Sequence, residues 1–123
     1  ARAGEMSTFK SIRLGIAGLV VDGSVTDIRE MEAMEFPCFA RHITPLVGRR
    51  IGEKGSVRKP VTVGGVLVHP GDLVVADDNG VVFLDPAEAA AIIGELLEKE
   101  QKEAELREIF WRERGMAVPV IYS

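Results

Sequence analysis

A chain of 123 residues with 46% hydrophobic and 28% charged residues has the length and balance of one globular domain with one core. Its formal charge of -4 argues against a nucleic-acid partner, because phosphate contacts call for a basic face. The single Cys38 excludes an intrachain disulfide and a multi-cysteine metal site, and points to a reducing, cytoplasmic setting. No apolar run approaches the roughly 20 residues needed to cross a bilayer, and no signal-peptide pattern is present. The chain opens Ala-Arg-Ala-Gly without Met and enters a helix almost at once, a beginning expected of the middle of a domain.

Glu5 to Arg13 reads as a short helix, with Met6, Phe9 and Ile12 at helical spacing and Gly15 as its stop. Ile16 to Val21 is an apolar, β-branched run, expected as a strand covered on both faces, and Asp22-Gly23-Ser24 is expected to break it. Thr26 or Asp27 is placed to cap a helix reaching about Glu35, with Ile28, Met31 and Met34 inward. Phe36 to Ala40 restarts extended structure, so strand, helix and strand form a right-handed βαβ unit. Residues 42–60 read as a long loop rich in Gly, Pro, Lys and Arg. Val61 to Val68 reads as a strand in which Gly64-Gly65 marks a bulge or a close backbone approach, and Asn79-Gly80 joins two further β-branched runs as a hairpin. One long helix follows from Pro86 to about Gly115, with Ala89, Ile92, Ile93, Leu96 and Leu97 on one face. Its charged middle is expected to project from the body, and Ile109-Phe110-Trp111 is assigned to a subunit contact.

Ligands of open α/β sheets bind beyond the carboxyl ends of strands, which singles out Asp22 and Asp27. Carboxylates there can hold a hard cation such as Mg²⁺, with waters completing the shell. On spacing alone, an N-cap role for Asp27 and a turn role for Asp22 stand beside that reading. Glu5, at the start of the preceding helix, comes near Asp27 if that helix packs antiparallel to the strand; otherwise it only complements the helix dipole. His42 is expected just past the second strand, as an acid–base group or a surface loop residue. Arg29 and Arg41 could each bind a carboxylate or simply be solvated.

Four ordered blocks carry a resemblance: Gly18 to Asp27, Phe36 to Arg41, Pro60 to Val66 and Pro70 to Val82. Together they resemble the RraA-like family, which includes the 4-hydroxy-4-methyl-2-oxoglutarate aldolases and the RraA regulators of ribonuclease E. The resemblance implies an α/β fold, an α/β/α sandwich assembled as a homotrimer or hexamer with the site near a subunit interface. It also implies a divalent metal, Mg²⁺ or Mn²⁺, and a carbon–carbon lyase that cleaves or decarboxylates a 2-oxo acid through a metal-stabilised enolate. The family's hallmark is an acidic residue, twenty intervening residues, then Arg-Asp. Glu5 and Asp27 occupy the acidic positions, as metal and catalytic residues, while Asp22 and Gly23 match the turn beside the substrate.

Thr26 stands where the aldolases carry the arginine that binds the pyruvyl group, and Thr has no guanidinium fork. Arg29, one helical turn on, is the replacement expected within the chain, with Thr26 and His42 as further substrate contacts. The family's N-terminal region, with a glycine-rich loop for the pyruvate carboxylate, has no counterpart here, so a fragment or a second chain supplying that loop is expected. The alternatives to a lyase are a non-catalytic regulatory subunit of the RraA type and a family member with altered chemistry.

Overall fold

The computed structural model describes residues 1–49, 52 and 55–120. Within them lie α1 (Glu5–Arg13), β1 (Leu19–Val25), α2 (Ile28–Ala33), β2 (Cys38–Ile43), β3 (Val61–Val63), β4 (Val66–Val68), β5 (Leu73–Asp77), β6 (Gly80–Leu84) and α3 (Pro86–Glu113). The fold is mixed α/β, with strands hydrogen-bonded in three pairs: β1–β2, β3–β4 and β5–β6. The chain divides into two compact units, Ala1–Phe83 and Leu84–Ser123. No helix of the described residues is long and apolar enough to cross a membrane.

In the first unit β1, α2 and β2 make the expected crossover, and the two strands pair in parallel. Both strands sit further along the chain than their apolar runs indicate. β1 does not stop at Val21 but continues through Asp22, Gly23 and Ser24 to Val25. The register explains how: Val21 pairs with Ala40 and Ser24 with His42, so Asp22 and Gly23 together face Arg41 alone. That is a β-bulge, which absorbs a polar Asp-Gly pair without ending the strand. Residues Ala1 to Gly4 lie along the other edge of β1, joined by a parallel bridge between Ala3 and Val25. The core sits here, in the buried side chains of Ala3, Val25, Met31 and Phe36.

Helix α1 turns an unexpected face inward. Thr8 and Ser11 are buried, while Met6, Phe9 and Ile12 are exposed. Burial of two hydroxyls is tolerated because each donates back along the helix, Thr8 Oγ1 to Gly4 O at 3.0 Å and Ser11 Oγ to Ser7 O at 2.9 Å. The extended stretch 61–68 is a hairpin and not one bulged strand. β3 and β4 pair antiparallel around Gly64 and Gly65, whose φ values of 60° and 85° suit a two-residue turn that other residues enter with difficulty. Of the long loop expected at 42–60, residues 42 and 43 belong to β2, and 50, 51, 53 and 54 lie outside the described residues.

In the second unit Asp85 caps α3, accepting from the Ala87 N–H at 2.8 Å, and Pro86 occupies the first turn. The helix ends where Gly115 takes φ 67°, with Gly115 N–H donating to Arg112 O and Met116 N–H to Trp111 O. None of its described residues is buried, and its apolar stripe stays open, with Ile93 51% and Leu97 62% exposed. Phe110 and Trp111 stack edge to face at 5.3 Å, with the Arg114 guanidinium 3.7 Å from the Phe110 ring centre.

Candidate functional site

Among the described residues of the first unit, three clefts are lined by Asp22, Thr26, Asp27, Arg41 and His42 in turn, while Glu5 and Arg29 line none of them. The cleft at the carboxyl end of β1 is built on a three-segment ladder. Arg2 N–H donates to Ser24 O at 2.6 Å, Thr26 N–H to Ala3 O at 3.0 Å, and Thr44 N–H to Val25 O at 2.9 Å. Thr26 and Asp27 therefore emerge from a buried, doubly flanked strand end into a space of about 510 Å³. Arg2, Ser7, Gly48 and Arg49 complete the polar and small part of its wall.

Asp27 does not play the capping part assigned to it. It starts α2, its carbonyl accepting from Met31 N–H at 3.1 Å, but its side chain makes no capping bond to that helix. Its backbone is left-handed, φ 54° and ψ 43°, a conformation Asp tolerates better than most residues. This turns the carboxylate away from α2 and toward the start of α1. Oδ2 accepts the Glu5 N–H at 3.1 Å, and Oδ1 accepts the Thr26 hydroxyl at 3.1 Å. Asp27 thus caps the helix before it in sequence, where its charge complements the helix dipole.

Gly4 makes this approach possible. A Cβ there would stand 2.6 Å from Asp27 Oδ2 and 2.7 Å from Thr26 Cγ2. Glu5 and Asp27 are accordingly neighbours across 22 positions, through the Glu5 backbone. The Glu5 side chain is half-buried and is not part of the cleft wall.

The other predicted residues lie elsewhere. Asp22 is inside β1, in the bulge, and lines a second cleft of about 670 Å³ with Cys38, Arg41, Gly64 and Asn79. Its Oδ2 accepts the Gly64 N–H at 2.8 Å and its Oδ1 is held by Arg41 Nε. The Gly64 N–H first, and the Arg41 guanidinium next, hold the Asp22 carboxyl below the usual carboxylate range. Arg41 is thereby engaged by the protein's own carboxylate and is not a free ligand for a substrate.

His42 is in β2 opposite Ser24, not in a loop beyond the strand, because β2 extends to Ile43. It lines a third cleft of about 630 Å³ with Met31, Glu32 and Phe36. Arg29 is exposed on α2 and lines none of these three clefts. Gly23 touches the Asp27 cleft indirectly, beside the Arg2 stem: a Cβ on it would sit 3.4 Å from Cγ of Arg2, an ordinary van der Waals contact. Burial pushes the Cys38 thiol up, which marks it as packing and not as a nucleophile.

Among the described residues no three His, Cys, Asp or Glu side chains converge as a metal cage. A hard ion such as Mg²⁺ needs fewer, keeping most of its waters on one or two carboxylates. Asp27 at the cleft fits that minimal donor set, since each of its oxygens keeps a lone pair after one hydrogen bond.

Comparison with known proteins gives the chain's family. The family model described as RraA-like, Aldolase/RraA, matches residues 1–83, which is the first compact unit. A Halalkalibacterium halodurans protein provisionally named a 4-hydroxy-4-methyl-2-oxoglutarate aldolase is 36% identical over 118 residues, covering 96% of this chain and 55% of the relative. A 4-hydroxy-4-methyl-2-oxoglutarate aldolase of Thermus thermophilus is 39% identical over 70 residues, covering 57% of this chain and 42% of the relative. The crystal structure of an uncharacterized protein from Pseudomonas syringae pv. tomato superposes with a TM-score of 0.69 at 26% identity, covering 94% of this chain and 57% of that one. The chain spans about half the length of the curated relatives it matches. With the family model matched over residues 1–83, more than half of its length, the chain belongs to the RraA-like family.

Proposed function

We propose that the protein contributes the Asp27 cleft to a divalent-metal-dependent carbon–carbon lyase acting on a 2-oxo acid. The observation that carries this reading is the Asp27 carboxylate, fixed by the Glu5 N–H and the Thr26 hydroxyl at the end of β1. Family membership and relatives named as aldolases support it. Asp27 would hold Mg²⁺ or Mn²⁺ with waters in the remaining positions, and the Glu5 carboxylate, which lies outside the cleft wall, would act through one of those waters. When bound, the ion supplies Lewis-acid polarisation of the 2-oxo group.

The chain's own contribution is orientation. Two hydrogen bonds fix the plane of the Asp27 carboxylate, and the ladder of Ala3, Val25 and Thr44 keeps its backbone from moving. In oxaloacetate, for example, the C3–C4 bond breaks and CO₂ leaves. Its electron pair passes toward the 2-oxo carbonyl, and solvent returns a proton to C3. The same reading places the working protein in the cytoplasm as a homotrimer or hexamer, with the glycine-rich loop supplied by an N-terminal region or by another chain.

Pyruvate release from oxaloacetate and from 4-hydroxy-4-methyl-2-oxoglutarate, with Mg²⁺ and with EDTA, tests the proposal. Metal-dependent turnover lost in Asp27→Ala is expected. Turnover that survives both EDTA and Asp27→Ala sinks it. Thr26, in place of the family's arginine, favours one second reading, a regulatory subunit that binds without catalysis; metal-dependent turnover would exclude that.

A further inference from the structure

The charge in the Asp27 cleft is the reverse of the chain's. The whole chain carries -4, yet the charged side chains on this wall are Arg2, Arg49 and Asp27, two cations against one anion. Neither arginine's side chain has an ion pair or hydrogen bond among the described residues. That differs from Arg41, Arg107 and Arg112, each of which is matched with a carboxylate.

The Arg2 side chain is exposed, but it starts from an anchored backbone. Its backbone is hydrogen-bonded to Ser24, its neighbour Ala3 is 8% exposed and bridged to Val25, and its stem lies beside Gly23. Such anchoring fixes where the Arg2 stem begins relative to the strand that carries Thr26 and Asp27. Arg49 reaches the same space from the segment after β2, whose Leu46 carbonyl accepts from the Ala1 backbone nitrogen at 2.6 Å.

From this arrangement we infer that Arg2 and Arg49 form the carboxylate-binding half of the site, and that its ligand is a small 2-oxo carboxylic acid. This rests on the lyase reading for the identity of the ligand. The guanidinium planes present paired donors that match a carboxylate, and two of them leave the cleft positive after Asp27 is counted. A cation delivered from residues 2 and 49 makes an arginine at position 26 unnecessary. Thr26 then serves another purpose, its hydroxyl bracing Asp27.

The test is direct binding, measured by calorimetry or by ligand NMR at low ionic strength in EDTA, with pyruvate and its uncharged analogue pyruvamide titrated into the full chain. Arg2→Met and Arg49→Met keep the side-chain stems and remove the charge. Each is expected to weaken pyruvate binding about tenfold to a hundredfold, the range for a charged hydrogen bond, while pyruvamide binding stays unchanged. Arg2→Lys should recover part of the loss, because it restores charge without the fork. Pyruvate affinity equal to wild type in both Met variants, or no pyruvate binding by the wild type, overturns the inference. Equal loss of pyruvate and pyruvamide also overturns it, since a merely structural effect would act on both. Charge-dependent binding without carbon–carbon cleavage would uphold the arginines and defeat the lyase reading. Oxaloacetate turnover with a wild-type KM in both Met variants would do the opposite.

Discussion

Replacing Gly4 by Ala tests whether close approach, and not backbone freedom, keeps glycine beside the site. Gly4 is extended, with φ -169° and ψ -167°, so any residue could adopt its backbone. The obstacle is the added methyl, 2.6 Å from Asp27 Oδ2 and 2.7 Å from Thr26 Cγ2. The Asp27 carboxylate must swing off the α1 terminus, forfeiting a cap worth about 1 kcal/mol. The Thr26 methyl, on a stiff β-branched side chain, must be pushed aside for about 1–3 kcal/mol more. The lower entropy of unfolded Ala returns about 0.4–1 kcal/mol, leaving a net loss near 2 kcal/mol.

Amide hydrogen exchange reads that loss locally. The Thr8 N–H, bonded to Gly4 O at 3.0 Å, should lose roughly thirtyfold protection, the equivalent of about 2 kcal/mol. Metal-dependent turnover should fall along with it. Wild-type protection and activity in Gly4→Ala would refute the claim that Asp27 depends on this contact. Gly94→Ala is the matched control: Gly94 lies inside α3, and a Cβ there meets nothing within 4 Å. Relief of the helical glycine should stabilise α3 by about 1 kcal/mol, visible as added helicity by circular dichroism.

The Asp22 carboxyl is held below its usual range by Gly64 N–H and Arg41, so its contribution to stability is complete above the unfolded carboxylate pKa, about 3.9. As pH falls through the lower folded value that contribution is lost. The Gly64 amide resonance should therefore hold steady from neutral pH to about 5 and move only below about pH 4, and Asp22→Asn should abolish that step. Cys38, pushed up by burial, should alkylate with iodoacetamide more slowly than a free thiol at pH 8, with a rate that rises only at higher pH; a rate equal to free cysteine would contradict its packing role.

Much of the first unit was readable from residue pattern because pattern and structure share a cause there. Met31 is buried and Ile28 and Met34 are half-buried, as their spacing along α2 requires. The hairpin signalled by Asn79-Gly80 is present, with Asp78-Asn79 as its turn and Gly80 opening β6, and in the second unit Pro86 opens α3. The misread places are those where a distant segment decides. Asp22-Gly23-Ser24 looks like a break, yet Arg41 and Gly64 give Asp22 two partners, and the strand runs on. Asp27 looks like the cap of its own helix, yet a positive φ turns it to a helix 22 positions earlier. Arg2 carries no sequence signal at all; only its pairing along β1 brings it to Asp27.

Asp22 also has a bearing on how such a chain can vary. Its two oxygens grip Arg41 and Gly64, the residues that bracket the segment between β2 and the β3–β4 turn. One carboxylate therefore ties β2 to the β3–β4 turn, two places far apart in the chain. Arg49 lies between them in sequence, whereas Thr26, Asp27 and Arg2 are held by β1. If Arg49 binds a ligand as proposed, substitutions between the two clipped points can change one side of the cleft while the β1 side keeps its place.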